Sequence, residues 1–254
     1  MLTIEHLTKV YANGPRANDD VTLQVGAGDV VALLGHNGAG KTTLINQAAG
    51  LVIPTSGSIR VAGCDPVADP ARARRTVSLM PQAHAPLSGV TPRQAVEMLA
   101  RIRGASRKQA CGEAARLISA LDIKEWADTP GEKLSGGARR LTAFCMTAVH
   151  SGQVLMLDEP TNDVDPVRRR LLWTRIRAIA DEGRAVLVVT HNIAEAETYA
   201  DRVVLLNAGR IVAEGSPAQL RETHSTGLED TYRLLIGAEG THREGEDDRA
   251  ALDH

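Results

Sequence analysis

The sequence predicts an α/β fold with a mostly parallel central sheet, antiparallel β structure ahead of it and a helical segment inserted into it. Three observations carry that prediction. Val30–Leu34, Val154–Leu157 and Ala185–Val189 are continuous apolar runs of strand length, the pattern of strands buried on both faces. The stretch from about 84 to 150 shows helix-start signals and a 3.6-residue apolar period instead. Between the first apolar run and the first expected helix lies a glycine-rich loop, GHNGAGKTT, at residues 35–43.

In chain order, residues 2–34 read as short strands with turns at Asn13-Gly14-Pro15 and Gly26-Ala27-Gly28-Asp29. A helix is expected over Thr42–Ala49, and short strands over 57–80 around a segment with Pro and Arg. Thr91-Pro92-Arg93-Gln94 has capping-box spacing with Pro at the first helical position, and Ser106-Arg107-Lys108-Gln109 repeats the box. After it Ala110, Ala114, Leu117, Ile118 and Leu121 fall on one helical face. Val154–Leu157 resumes the buried strands, and Asp165-Pro166 starts a helix that ends near Gly183. Ala185–Val189 and Val203–Leu206 are further strands, and Asn207-Ala208-Gly209 reads as a hairpin turn. The expected organisation is an α/β core over 1–83 and 151–222, a helical subdomain over 84–150 and a C-terminal helix over 223–237. Residues 238–254 are polar and mostly acidic, without an apolar period, and are expected to be a disordered tail.

Composition narrows the function. A hydrophobic fraction of 43% in 254 residues is enough for a sizeable core. A net charge of -2 gives no overall attraction to nucleic acid, and no such partner is expected. No apolar run is long enough to span a bilayer, and the N-terminus has no signal-peptide pattern. A cytoplasmic chain is expected, with any membrane role supplied by a partner. Cys64, Cys111 and Cys145 match neither a zinc pattern nor a disulfide framework and are read as buried thiols.

Gly35-His36-Asn37-Gly38-Ala39-Gly40-Lys41-Thr42 fits the phosphate loop G-x-x-x-x-G-K-[ST], with the strand and helix it requires on either side. Glycines let the backbone curl until its N–H groups converge on phosphate oxygens, and the helix adds its positive end. Lys41 is placed to reach the β- and γ-phosphates, Thr42 to ligate Mg²⁺ and Thr43 to meet the α-phosphate. Asp158 emerges at the carboxyl end of a buried strand, where open α/β sheets bind ligands, and is a second candidate Mg²⁺ group. Glu159 beside it is a candidate general base for water. His191 follows another strand at the same edge and could meet the γ-phosphate; alone, a histidine there reads as structural. Leu134-Ser135-Gly136-Gly137 opens a helix like a second phosphate cradle, but one without a lysine.

Together these residues resemble the nucleotide-binding subunit of ABC transporters, over about residues 1–222 and in the family's order. GHNGAGKTT is similar to its Walker A, LSGGARR to its signature, VLMLDEP to its Walker B with the glutamate, and Thr161–Asp165 to its D-loop. The resemblance makes Gln82 the Q-loop glutamine, near metal and γ-phosphate, His191 the switch histidine and Tyr11 the aromatic that stacks on adenine. It implies a P-loop NTPase core of the RecA-like kind that hydrolyses ATP with Mg²⁺. It further implies that Ser135, Gly136 and Gly137 hold the γ-phosphate bound by a second nucleotide-binding domain, identical or paralogous. ATP would then clamp two domains and hydrolysis release them. A membrane permease would dock near residues 84–96 and hold the chain peripherally at the inner face of the cell membrane.

Two departures stand out: Ala138 after LSGG where glutamine or glutamate is more usual, and Asp163-Val164 where a small residue and leucine are commoner. Arg168-Arg169-Arg170 reads as a solvated face, and Trp126 and Trp173 as partial core. The leading functional reading is the ATPase of an exporter of the drug- and polymer-export branch. An importer subunit is the nearest alternative, and it would need an extracytoplasmic binding protein. A soluble repair or translation ATPase is disfavoured, because the chain has neither heptads nor a second phosphate loop.

Overall fold

The computed structural model describes residues 1–12, 14–83, 87–224, 229–230 and 232–233. Strands β1 (Leu2–Val10), β2 (Arg16–Val25) and β4 (Ser56–Val61) form an antiparallel sheet in the order β2-β1-β4. A six-stranded sheet contains β3 (Val30–Leu34), β5 (Val77–Met80), β6 (Val154–Asp158), β7 (Ala185–Thr190), β8 (Arg202–Asn207) and β9 (Arg210–Gly215), in the order β5-β6-β7-β3-β8-β9. Its first five strands run parallel, and β9 returns antiparallel through the Asn207–Gly209 turn.

The apolar runs are buried on both faces, as their composition requires. Val31, Leu33, Val154, Met156, Leu187 and Val189 pack toward the antiparallel sheet and α1 (Lys41–Ala48). Val30, Leu155, Leu157, Val186 and Val188 pack on the other face with Trp173 and Ile176 of α6 (Pro166–Asp181) and Phe144 of α5 (Gly136–Ala148). The same cluster continues through Val96 and Ala100 of α3 (Pro92–Ile102) and Ala110, Ala114, Leu117 and Ile118 of α4 (Arg107–Ala120). The helical insertion therefore shares one core with the sheet.

The local start signals operate as the spacing predicts. Both capping boxes form, with Thr91 and Gln94 at α3 and Ser106 and Gln109 at α4. Asp165 caps α6 through the N–H groups of Val167 and Arg168, and Pro166 takes the first turn. Arg103 closes the other end of α5: its guanidinium donates to the carbonyls of Met146, Thr147 and Val149 at 3.0, 2.8 and 2.7 Å.

Four expectations need correction, and others fall outside the described residues. The Pro- and Arg-containing segment within 57–80 is a helix, α2 (Pro70–Thr76), capped by Asp69. Cys111 is exposed on α4, whereas Cys64 and Cys145 are buried. Arg168 is not simply solvated: it lies over the Trp126 ring and pairs with Asp122, Glu125 and Asp165, while Arg169 donates to the Val164 carbonyl. Trp173 is fully buried rather than partly so, with its indole N–H on Glu195 and its ring stacked on Tyr199. Helix α7 (Ile193–Tyr199) brings both partners there. The last continuous helix is α8 (Pro217–His224); most of the helix expected over 223–237, and all of the tail over 238–254, lie outside the described residues. So do residues 84–86 at the start of the expected docking segment, and Asn13 in the first turn.

The shared core predicts an order of stabilities. Leu117→Ala should cost about 2–5 kcal/mol through the cavity it leaves. Ser106→Ala, which removes only a cap, should cost about 1 kcal/mol. Urea midpoints at constant m-value measure both, and equal costs would contradict this account of the insertion.

Candidate functional site

The site is placed by three strand ends. Leu34 of β3 lies opposite Thr190 of β7, and Asp158 of β6 opposite Val189. The phosphate loop, the Asp158-Glu159 pair and His191 therefore leave the sheet at one edge. Gly40, which precedes α1, has φ +100°, and a Cβ there would collide with the Ala17 carbonyl of β2, so only glycine fits. The side-chain amide of Asn18 reinforces this contact, donating to the Gly40 carbonyl at 3.2 Å while its oxygen accepts from Gln47 at 2.7 Å. Asn18 is fully buried and was not recognised from the sequence, where it sits inconspicuously among the polar residues of RANDD. Tyr11 stands in the turn between β1 and β2, which closes where Val10 pairs with Arg16. Tyr11 is exposed, with Lys9 Nζ 5.0 Å from its ring centroid.

Within the loop, Lys41 Nζ donates to the carbonyls of Gly35 (2.6 Å) and His36 (2.9 Å). His36, Asn37 and Gly38 are exposed, Ala39 is buried and Thr43 half-buried. The His36 ring spans Asn37 O and Asn207 Oδ1. Thr42 Oγ1 donates to Asp158 Oδ2 at 3.0 Å. Two hard oxygen donors in contact, with solvent beside Thr42, suit Mg²⁺, which keeps several of its waters. Burial raises the Asp158 carboxyl above its ordinary value, partly opposed by the Thr42 hydrogen bond. Burial lowers the Lys41 ammonium, opposed by the charges of Glu159 and Asp158.

Glu159 has the left-handed φ of +53° and donates its N–H to the Val189 carbonyl at 2.9 Å. Its Oε1 lies 2.9 Å from His191 Nδ1, and its Oε2 is buried with no protein partner. A buried carboxylate oxygen with a free lone pair, beside an imidazole that is mostly exposed, is suited to take a proton from water.

The second cradle lies on α5. Ser135 and Gly136 are exposed, and Ser135 Oγ accepts from Ala138 N at 3.2 Å as the helix cap. Accepting leaves the hydroxyl proton free to donate to an anion. A Cβ on Gly137 would collide with the Asp163 carbonyl, and one on Gly136 would come 3.4 Å from Asp163 Oδ2. Asp163 itself has φ +62°, a geometry that favours the smaller residue more usual at this place. Among the described residues no hydrogen bond joins Ser135–Gly137 to the first cradle. Gln82 is exposed, and its carbonyl accepts from Arg140.

The profile described as "ABC transporter" matches residues 18–162, more than half of the chain. Over 85% of its length the chain is 38% identical to the daunorubicin/doxorubicin resistance ATP-binding protein DrrA of Streptomyces peucetius, of which it spans 66%. Over 86% it is 33% identical to the Nod factor export ATP-binding protein I of Mesorhizobium japonicum, of which it spans 64%. The matched stretch spans about two thirds of the length of each of these relatives. A solved ATP-binding subunit of an ABC transporter superposes with a TM-score of 0.86 at 26% identity, covering 92% of this chain and 99% of that one. A dimeric bacterial ABC transporter cassette superposes with a TM-score of 0.77 at 22% identity, covering 85% and 98%, a likeness of fold.

The buried carboxyl at Asp158 has a signed consequence. Because burial raises its folded-state value, the folded chain holds this proton more tightly than the unfolded one. Stability is then lost as pH rises from the ordinary 3.8 through the raised value. Asp158→Asn should therefore raise the melting temperature of the nucleotide-free chain at pH 7, with the gain shrinking as pH is lowered toward 4. Melting curves across pH test this, and an unchanged or lower melting temperature at pH 7 counts against it.

Proposed function

This chain belongs to the ABC transporter family and carries its ATP-binding, ATP-hydrolysing domain, and from that premise we propose that it powers export of a substrate through a separate membrane protein. The observation that carries the reading is the convergence of Thr42, Asp158, Glu159 and His191 beside the glycine loop, with Glu159 Oε2 unpartnered. Glycine-loop amides from Gly35 to Gly40, with the first turn of α1, hold the phosphates. Lys41 turns from its loop carbonyls to the β- and γ-phosphates, Thr43 meets the α-phosphate and Tyr11 stacks on the adenine. Thr42 and Asp158 would hold Mg²⁺, to which Gln82 would add a ligand on this reading, and the ion would neutralise charge on the phosphates. Glu159 takes the proton of the attacking water through Oε2, and His191 holds Oε1 and meets the γ-phosphate.

The lysine-free cradle at Ser135, Gly136 and Gly137 serves ATP held by a second nucleotide-binding domain. Export follows the relative whose name states it, the Nod factor export protein. No helix among the described residues is long and apolar enough to cross a membrane, and the reading assigns the translocation pathway to a permease. Beside the expected segment 84–96 lies a groove lined by Leu79, Pro81, Ala83, Leu99, Arg103 and Met146, between the end of β5 and helices α3 and α5. The permease docks there and holds the chain at the inner face of the cell membrane.

Glu159→Gln should lower ATP turnover by about 10²–10⁴-fold, the usual weight of a general base, while ATP remains bound. Light scattering of this variant should detect a dimer only with ATP, and Ser135→Arg should abolish it. A monomer that binds ATP at every concentration would exclude the self-paired form. In the Glu159→Gln background, Asp163→Gly should tighten the ATP-dependent dimer, because it removes a carboxylate beside the incoming γ-phosphate and relaxes a strained φ. Equal dimer affinity would remove Asp163 from the seam. ATP-driven movement of substrate in vesicles holding the co-purified membrane protein fixes direction.

A further inference from the structure

Arg140 is the only arginine of the described residues with under 2% of its surface exposed among the largest buried side chains, although the LSGGARR pattern makes it look like an ordinary charged helix residue. Its guanidinium has five N–H donors, and five hydrogen bonds leave it. Nε donates to Glu159 O at 2.9 Å, Nη1 to Pro81 O at 3.0 Å and Gln82 O at 2.8 Å, and Nη2 to Glu159 O at 2.6 Å and to Asp158 O. All acceptors are backbone carbonyls, drawn from two segments that neighbour each other only through the β5–β6 pairing.

The β5–β6 pairing brings the two segments side by side, but it does not satisfy these carbonyls. Four oxygen dipoles point at one place, beside the carboxylates of Asp158 and Glu159, and without a cation they repel. The left-handed φ of Glu159 is unfavourable for a non-glycine residue and persists only where its surroundings over-determine it. Two bonds from Arg140 to the Glu159 carbonyl, and one from its N–H to Val189, do so. Arg140 stands one turn into α5, whose exposed N-terminus carries Ser135 and Gly136 and whose C-terminus is fixed by Arg103.

We propose that Arg140 is a positioning residue for hydrolysis: by gathering the carbonyls of Pro81, Gln82, Asp158 and Glu159 it sets the backbone from which Glu159 reaches water, and it ties that backbone to the signature helix. The proposal rests on the reading of Glu159 as the base. A displacement of α5 then moves Gln82 and Glu159 together, so contact at the second cradle of a chain is felt at its own hydrolytic group. Lysine cannot substitute, because a point ammonium with three donors cannot span four carbonyls.

The test compares Arg140→Lys, Arg140→Met and Glu159→Gln with the wild-type full chain, by steady-state ATP turnover, by fluorescent-nucleotide affinity and by melting temperature. Arg140→Lys should fold, keep KM and nucleotide affinity within about twofold, and lose about tenfold or more in kcat. Arg140→Met should lose more, with lysine a partial rescue. A folded Arg140→Lys with wild-type kcat, or with a defect in KM alone, overturns the proposal. So does failure of Arg140→Lys to fold, which would make the arginine a stabilising strut only. If Glu159→Gln instead keeps wild-type kcat, the reading of the base fails, separately from the effect at Arg140.

Discussion

Alignment of the carboxyl ends of β3, β6 and β7 is the constraint on which the site depends. Those ends lie within one residue of each other, and the phosphate loop, the acidic pair and His191 issue from them. The side-chain pattern alone does not enforce this register. Both faces of these strands are apolar, so a slip of one residue would exchange one set of aliphatic side chains for another. What resists the slip is the polar end: drawing Asp158 into the strand would bury a carboxylate between aliphatic layers without Thr42 as partner. The functional residues therefore help to set the register that positions them.

The same edge concentrates charge. Lys41, Arg140, Asp158 and Glu159 are all buried, two of each sign. Burial lowers the two cations and raises Asp158, and the opposite charges resist each shift. Neither cation forms a direct ion pair with a carboxylate among the described residues; both bind backbone carbonyls. Removing Lys41 or Arg140 would leave the buried carboxylates uncompensated, the costly way to disturb such a group. Asn18 and Gln47 extend the polar layer beneath the loop, and both are fully buried. This layer adds no apolar contact to the core, so its place is explained by the rigidity it gives the loop.

Much of this was legible in the sequence wherever cause and effect are neighbours in the chain. The capping boxes at Thr91 and Ser106 need only three residues to be recognised, and each forms. Continuous apolar runs announced the central strands, and the glycine loop announced what lies between β3 and α1. The residues that escaped are those whose partners are distant. Arg140 finds its acceptors 18 to 59 positions away, and Asn18 finds its hydrogen-bond partners 22 and 29 away. Arg168 reads as solvated in the sequence because nothing near it there reveals Trp126 and the carboxylates of Asp122 and Glu125. A charged side chain whose partners are backbone carbonyls leaves no trace in the pattern, since every residue offers the same acceptor.

The second cradle follows from what a helix end can and cannot do. Ser135 caps α5 with its oxygen and keeps its proton, and Gly136 leaves the end open to solvent. Such an end offers N–H groups and about half a positive charge, which favours an anion but holds it weakly without a lysine. A site of that kind does not capture a free nucleotide against water; it is suited to close on phosphate already held elsewhere. Gly137 cannot accept a side chain because the Asp163 carbonyl lies against it, so the helix end and the segment after Glu159 move as one surface. Arg103 holds the last carbonyls of α5 and Arg140 ties its first turn to the backbone of Asp158 and Glu159, so under the proposal for Arg140 a push on Ser135 is passed along the helix. On the proposed reading, weak affinity and stiff mounting together suit the cradle to sensing phosphate bound elsewhere rather than storing it.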